Sequence, residues 1–507
     1  MLEDYLWATH DKQIETEFLK VSPMNEQTNN LICLLLTDPD PDVRRRAAED
    51  LSGCEDRNAL AGLSTALEDE NRGVEDAISR TLLSIGGVAT ARAIVHHIGD
   101  ENITSRNLAA KLLVQLREAS VHALVPYLSD VDKDIRKLAV DILGEIKSKE
   151  PIYYLLPLLR DPDQNVLVAT IEAIGNIGSR EAVKPIFNTF EHYPFTRIIA
   201  IEALGKIGGD SVREYLEGKY RDAINAGNAE EIYLFALLDA LGIVGDADTL
   251  EVLLANYEAI KDPLRDVLLH EVVLIIERCN LEYQLDDKMR NDLLHALHND
   301  NHQIQLSAAK GLIQFKDPVV TKELLLSLGI SEEMDCVVVA QMSVRPRVFQ
   351  IAIECLEAGV TRGKIQIMML LGKLAGEFVR SFKGFRGYRI DDSELERAFD
   401  ITSEAWYEAN QEDWEIIVDA LFRIDCDRAA VFLQSVMVDM DPWSRVHMIE
   451  QLVTMPTRRA LECIARFVED ENEMVREAAL MAFQAAGIPV ETITPTNGNK
   501  SLDRGAT

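Results

Sequence analysis

The chain has few cysteines, few aromatic residues and a marked shortage of positive charge. Its 507 residues include 7 Cys and 4 Trp, and 52 basic residues stand against 85 acidic ones, for a formal net charge of −33. The cysteines are scattered and none are spaced as CxxC, which argues against a disulfide framework and favours a reducing compartment. The negative charge repels nucleic acid and anionic membranes over most of the surface.

Long apolar runs, export signals and catalytic motifs are also missing. No stretch approaches the roughly 18 uncharged apolar residues of a membrane span. The first residues, Met1 to Asp4, include acids where a signal peptide needs basic residues. The sequence has no P-loop, no GxSxG and no HExxH. We therefore expect a cytoplasmic protein that has no membrane partner, no cofactor and no enzymatic activity.

A repeat of fixed period organises the first 205 residues. An Asp and a short polar turn precede a branched or equivalent marker residue, and apolar residues follow it four and eight positions later. The markers recur at steps of 31, 31, 30, 31 and 30 residues, at Val43, Val74, Ser105, Ile135, Val166 and Thr196. A period in this range is typical of a solenoid, in which each unit buries its apolar face against the next.

Each unit is predicted to be a pair of helices. In residues 149–178, the pattern predicts a first helix over Ile152–Leu159, an Asp-Pro-Asp turn, and a second helix from about Asn165 to Ile177 with one apolar face. No period-2 pattern of useful length indicates a strand. The predicted fold class is therefore all-α. We expect an α-solenoid of stacked antiparallel helix pairs, with an irregular helical region toward the C-terminal third.

An Asp lies six residues before an Arg in several of these units. The pairs are Asp38 and Arg44, Asp100 and Arg106, Asp130 and Arg136, and Asp470 and Arg476. One Asp in each turn and one Arg at the start of each second helix could form a ladder of hydrogen bonds between successive units. We favour this structural interpretation over an acidic binding stripe.

The pattern of Asp38, Val43-Arg44, Ala47-Ala48 and Leu51 resembles HEAT repeats. The ending Leu204-Gly205-Lys206-Ile207-Gly208 is similar to the shorter bacterial subtype, also called phycobilisome-lyase-like repeats. The resemblance covers about residues 27–320 and again 442–487. It implies a helical-repeat fold and, by association with that fold, a scaffold that binds other proteins in bacterial signalling or complex assembly.

The periodicity divides the chain into five predicted segments. They are an N-terminal cap over 1–26, a HEAT-like array over 27–320, divergent helical repeats or a separate subdomain over 321–441, terminal HEAT-like repeats over 442–487, and a disordered tail over 488–507. The tail is predicted from its Pro, Thr, Asn, Gly and Ser content and its few apolar residues.

The charge reverses where the period is lost. From Ser343 to Ile390, nine basic residues face three acids, a net +6 in a protein whose other residues total −39. The loop over 380–389 alternates basic and aromatic side chains, which are Arg380, Phe382, Lys383, Phe385, Arg386, Tyr388 and Arg389. Three interpretations stay open: a structural loop that pairs with the acidic solenoid, a protein-docking loop, and a grip for nucleic acid or another polyanion. Repulsion from the rest of the chain disfavours the third.

A second candidate surface follows from the repeat itself. Second helices line the concave side of HEAT-like solenoids, and residues six positions beyond each marker should point outward there. They are Glu49, Arg80, Lys111, Asp141, Glu172 and Glu202. The row changes from mixed charge to acidic along the chain, which would orient a protein partner with a basic segment. The alternative is an ordinary solvated face.

Two further interpretations have less support. Bilin attachment, or another enzyme-accessory role, is implied by the lyase-like resemblance, although no residue matches a bilin ligand.

His295, His298 and His302 are three and four residues apart, as in some metal sites, but they align with a polar turn of the repeat. We treat His96 and His97 as solvated in the same way. We predict a scaffold with one or more protein partners, no bound metal and no small-molecule ligand.

Overall fold

The computed structural model describes residues 26–345, 347–380, 390–455 and 457–488, without the side chains of 377–380. Within these ranges every regular element is a helix and no strand occurs, which confirms the predicted all-α class. Residues 1–25 of the predicted N-terminal cap, the tail beyond Ile488 and the loop over 381–389 lie outside the described residues. The helices fall into two compact units, residues 1–264 and 265–507.

The first unit contains fifteen α-helices in its described part. They are α1 (Glu26–Thr37), α2 (Pro41–Asp50), α3 (Arg57–Thr65), α4 (Arg72–Ile85), α5 (Gly87–Ile94), α6 (Ile103–Gln115), α7 (Val121–Leu124), α8 (Lys133–Ile146), α9 (Ile152–Leu155), α10 (Gln164–Ile177), α11 (Val183–His192), α12 (Arg197–Ile207), α13 (Asp210–Ala226), α14 (Glu231–Val244) and α15 (Ala247–Ala255). The even-numbered helices α2 to α14 pack against one another in order and form the second-helix layer. The stacking of helix pairs is that of an α-solenoid.

The unit over 149–178 shows how the sequence produces this pair. The predicted first helix occurs as α9 followed by a 3-10 turn, Leu156–Arg160, and Pro157 within it has no N–H to continue an α-helix. The second helix, α10, begins one residue before the predicted start. The side chain of Asp163 accepts hydrogen bonds from the N–H groups of Asn165 and Val166 and so caps it. Gly178, in the left-handed conformation with φ 70°, ends it.

A glycine inside each of several second helices sets the distance to the next one. A Cβ atom built on Gly175 would lie 2.7 Å from Ala203 Cα, and one built on Gly144 would lie 2.8 Å from Ala173 Cα. Such distances leave no room for a methyl group, so the helix backbones meet through Gly and Ala. The first glycine of the Leu-Gly-x-Ile-Gly pattern therefore permits close packing, while the second ends the helix.

The Asp–Arg ladder is present and links successive units. Arg44 donates from Nε and Nη2 to the Asp69 carboxylate of the next unit, at 2.7 and 2.9 Å, and from Nη1 to the backbone carbonyl of Asp38 at 2.9 Å. Arg136 repeats this with Asp161, at 2.9 and 2.8 Å. The hydrogen bonds from Arg44 hold the pKa of the Asp69 carboxyl below its usual range. The structural interpretation is thereby confirmed for Arg44 and Arg136.

The second unit contains thirteen α-helices in its described part. They are α16 (Leu264–Arg278), α17 (Asp287–Ala296), α18 (His302–Leu312), α19 (Pro318–Leu326), α20 (Glu332–Met342), α21 (Val348–Glu357), α22 (Lys364–Arg380), α23 (Asp392–Ala405), α24 (Gln411–Ile424), α25 (Cys426–Val436), α26 (Pro442–Thr454), α27 (Arg458–Ala465) and α28 (Glu473–Ala486). Helices α22, α24, α26 and α28 stack in one layer. The ladder recurs at the end of this unit, where Arg445 lies 3.3 Å from Asp470.

Candidate functional site

The predicted binding row occupies matching places on six helices of the second-helix layer. Its members are Glu49 on α2, Arg80 on α4, Lys111 on α6, Asp141 on α8, Glu172 on α10 and Glu202 on α12. Asp141 is half-buried and the other five are exposed. Because neighbouring second helices pack against one another in order, the six side chains follow one another across the layer.

Ion pairs neutralise the early part of this row. Arg80 lies 3.7 Å from Glu49, and Lys137 Nζ lies 2.6 Å from Asp141 on the same helix. Exposed pairs of this kind contribute little stability but cancel charge locally. Within the described part of the chain, neither Glu172 nor Glu202 is paired with a basic side chain. The uncompensated negative charge is therefore concentrated at α10 and α12.

The acidic row continues on α14. A Cβ atom on Gly205 would lie 3.4 Å from Ala240 Cα, which repeats the contact between Gly175 and Ala203 one helix further along. This register places Asp239 of α14 at the position that corresponds to Glu202. Asp239 is exposed, so three carboxylates in succession face outward at this end of the layer.

An exposed apolar patch accompanies these acids, and the sequence did not lead us to it. Its members are Phe195 (46% exposed), Ile232 (61%), Phe235 (47%) and Ile243 (53%). The last three lie on one side of α14. Phe195 immediately precedes the marker residue Thr196, and Ile232 occupies the equivalent place in the next repeat. A usable signal existed: α14 is apolar around almost its whole circumference, with Glu231 and Asp239 as its only charged residues.

Packed aromatic side chains support the helices that carry this patch. The rings of Phe187 on α11 and Tyr215 on α13 stack with centroids 3.9 Å apart, and Phe190 meets Tyr215 edge to face. The Tyr215 hydroxyl donates to Glu191 at 2.8 Å. Burial and the Glu191 carboxylate raise the pKa of Tyr215, so it stays a hydroxyl donor. The stacked rings thus join α11 and α13, which pack against α12 and α14.

The three spaced histidines do not converge. His295 lies 3.8 Å from Asp266, His298 lies 3.4 Å from Glu323, and His302 lies 3.2 Å from the hydroxyl of Ser331. Each histidine therefore has its own polar neighbour. In the described residues no group of three or more His, Cys, Asp or Glu side chains is arranged to hold a metal ion.

His97 is not solvated, so that expectation was wrong. Its ring is buried, with Nδ1 2.5 Å from Asp100 and Nε2 3.0 Å from Ser64 Oγ. The order Asp–His–Ser resembles a hydrolytic triad, but Ser64 is itself buried and its hydroxyl donates to the Ala93 carbonyl at 2.6 Å. These residues form a cross-link between neighbouring units. Asp100 occupies the place that Asp69 and Asp161 hold in the Asp–Arg ladder, and His97 is its partner there.

Hydrogen bonds also set the charge state of Asp100. Burial acts to raise the pKa of its carboxyl, but hydrogen bonds from Ser105 and His97 outweigh burial and hold that pKa below the usual range. The ionised Asp100 accepts from the Ser105 hydroxyl at 2.8 Å. His96, next to His97, remains exposed as expected.

The described part of the basic region over 343–390 includes a buried arginine and an ion-paired lysine. Arg345 is 4% exposed, and its guanidinium donates to the backbone carbonyls of Leu312, Ile313 and Phe315 at the end of α18. Burial lowers the pKa of Arg345 to about 10. Lys364 lies 2.8 Å from Glu408. These contacts favour a structural role for part of the region.

The basic–aromatic loop lies outside the described residues, apart from the backbone of Arg380. Six of its predicted partner-binding residues lie outside the described residues, namely Phe382, Lys383, Phe385, Arg386, Tyr388 and Arg389. The side chain of Arg380, at the end of α22, is likewise outside them. The three interpretations of this loop remain predictions.

Comparison with known proteins places the helix pairs in a family. The repeats and the two-layer stacking define an α-solenoid protein. A family model described as HEAT repeats matches residues 28–114, 121–190 and 152–233. These residues therefore form HEAT repeats, as the sequence predicted; the phycobilisome-lyase-like subtype stays a prediction.

Other comparisons add little. No curated protein matches the chain. Among solved structures, the alignment with the crystal structure of an engineered protein covers 91% of this chain and 98% of the engineered chain, at 16% identity and a TM-score of 0.24. A likeness this distant supports no functional argument. Helices long and apolar enough to cross a membrane do not occur in the described part of the chain.

Proposed function

We propose that this protein is a non-enzymatic HEAT-repeat scaffold that binds a partner protein through the second-helix layer of its first unit. The observation that carries the proposal is the apolar patch of Phe195, Ile232, Phe235 and Ile243. It lies beside Glu172, Glu202 and Asp239, which have no basic partner among the described residues. Soluble proteins rarely expose several large apolar side chains side by side unless another molecule covers them.

The chemistry of this surface defines the kind of partner. Apolar contact would supply most of the affinity, and Glu172, Glu202 and Asp239 would attract and orient basic side chains. We therefore infer a partner segment that is amphipathic, with an apolar side and Lys or Arg along its edges. Its association should weaken with added salt, because screening acts strongly between exposed charges.

The cellular setting is also proposed. The seven thiols are all free, which fits a reducing compartment, so we place the protein in the cytoplasm. A role in bacterial signalling or complex assembly rests on association with the fold alone.

A matched pair of variants tests the proposal. Tagged wild-type protein, the double variant Ile232→Glu/Phe235→Glu and the control Val131→Glu would be purified from the native source and their partners quantified by mass spectrometry. Val131 is a fully exposed apolar residue in a turn of the same unit. We expect the patch variant to lose partners that the control retains, with unchanged circular dichroism in all three proteins.

The same partner set on wild-type and patch-variant protein would refute the assignment of this surface. A partner would count as specific only if the purified complex also loses affinity as salt is raised.

A further inference from the structure

A groove lies between α26 and α28, the last two helices of one layer in the second unit. Its volume is about 350 Å³. Its floor is apolar and is lined by Val446, Ile449, Val453, Ala478, Ala482 and Ala485. Trp443 and Met474 lie at one end, Met481 along one side, and Glu450 and Glu477 complete the lining. We call this the terminal groove.

The groove follows from side-chain size on two facing helices. Val446, Ile449 and Val453 recur at three- and four-residue spacing on α26 and so face one way. The opposing positions of α28 include Ala478, Ala482 and Ala485, whose methyl groups cannot fill the space between two helix backbones. The result is an apolar depression rather than a packed interface.

The side chains around the depression are of the kind that bind protein partners. Trp443 is 71% exposed and Met481 is 69% exposed. Large apolar side chains such as Trp dominate interface energies, and Met adapts its shape to an incoming group. By contrast, Trp406 is buried and stacks on Trp414 with ring centroids 4.8 Å apart. Among the tryptophans that the structure describes, Trp443 is the exposed one.

Charge limits what can occupy the groove. Glu450 and Glu477 are exposed, and neither pairs with a basic side chain within the described residues. The nearby Arg445 and Arg476 are engaged elsewhere, by Asp470 and by the backbone carbonyls of Asp470 and Glu471. A second copy of this chain carries a net charge of −33 and would be repelled. A basic segment of another protein would pair with Glu450 and Glu477 and would not be repelled by the negative charge of the chain.

We propose that the terminal groove is a second docking site, which takes a partner segment with a bulky apolar side chain flanked by Lys or Arg. The apolar side chain enters the depression beside Trp443, and the flanking cations pair with Glu450 and Glu477. This site lies on the second unit, and its success or failure is independent of the function proposed for the first unit.

Trp443 provides a local readout for the test. The full chain with the substitution Trp7→Phe keeps Trp406, Trp414 and Trp443, and only Trp443 lies in a groove wall. The probe is a synthetic amphipathic helical peptide of Leu, Ala and Lys, which has no aromatic residue. We expect a saturable blue shift of tryptophan emission as the peptide is added, because the indole leaves water.

Charge variants establish where and how the peptide binds. The double variant Glu450→Lys/Glu477→Lys should bind about tenfold more weakly or worse, since two attractive contacts become repulsive. The control Glu396→Lys reverses an exposed acid on α23, in the other layer, and should bind like the parent. Ile232→Glu/Phe235→Glu should leave the Trp443 signal unchanged, which separates this site from the one on the first unit.

Several results would overturn the proposal. They are an emission spectrum that does not respond to peptide, equal affinity in the charge-reversed double variant, or equal affinity for a peptide with Glu in place of Lys. A red shift on deletion of residues 489–507 without peptide would show that the chain's own C-terminal segment fills the groove. A shift with protein concentration alone would assign the groove to a second copy.

Discussion

Replacing Gly175 with alanine tests whether the close approach of neighbouring second helices governs stability. Gly175 lies inside α10, and a Cβ atom there would be 2.7 Å from Ala203 Cα and 2.8 Å from Ala203 Cβ on α12. The nearest atom belongs to the backbone, so no rotation of a side chain can relieve the collision. The two helices must move apart, and the Gly–Ala spacing of the layer is lost locally.

The expected magnitude comes from two opposing effects. Alanine in place of glycine favours a helix by about 1 kcal/mol, whereas forcing an extra methyl group into a packed interface costs about 1–3 kcal/mol. The net effect should be a loss of up to about 2 kcal/mol. The matched control is Gly218→Ala on α13, where no neighbouring atom lies within 4 Å. That substitution should stabilise the protein by about 0.5–1 kcal/mol.

Stacked repeats need not unfold in one step, so a local measurement is needed as well as a global one. Urea unfolding followed by circular dichroism would give the sign of each change. Hydrogen exchange would show whether amides of α10 and α12 lose protection in Gly175→Ala while those of α13 gain it in Gly218→Ala. If the two alanine variants shift stability in the same direction by the same amount, the close approach does not limit packing and our account of the repeat is wrong.

Three other substitutions test the core, the ladder and the buried arginine. Ile174→Asp places a carboxylate at a fully buried position and should cost about 3 kcal/mol or more; an unchanged melting temperature would contradict the placement of the apolar face. The lowered pKa of Asp69 means that its pairing with Arg44 stabilises the fold above the unfolded-state pKa, about 3.9, and that this stability is lost as pH falls through the folded-state pKa. Thermal melts across that range should therefore show a smaller acid-induced loss for Asp69→Asn than for wild type, and equal losses would count against the ladder. Arg345→Met leaves buried carbonyls of α18 without donors and should cost about 1–3 kcal/mol by urea unfolding; a neutral result would show that water replaces the guanidinium.

The fold could be read from sequence because its determinants are local. A period of about 31 residues, Asp or Asn at helix starts and Gly at helix ends depend on neighbours within one unit. For that reason the helix over Gln164–Ile177 was predicted to within one residue, and the pairing of Arg136 with Asp161 followed from a spacing that recurs in the sequence.

The candidate surfaces were harder to predict because exposure depends on two helices at once. The register of the repeat identified Glu172 and Glu202, but not that Phe235 and Ile243 would remain uncovered beside them. His97 shows the converse, since the sequence placed it at a polar helix end and the neighbouring unit buries it against Ser64.

The amino-acid sequence by itself determined that this protein is acidic and that its repeats are HEAT-type helix pairs, because the repeat encodes which face of each helix is apolar and where each helix ends. Only the tertiary structure decided which apolar side chains remain in contact with solvent. The terminal groove exists because three alanines of α28 face larger side chains of α26 across a gap. No periodicity within one helix specifies that gap, since its depth is a property of the pair.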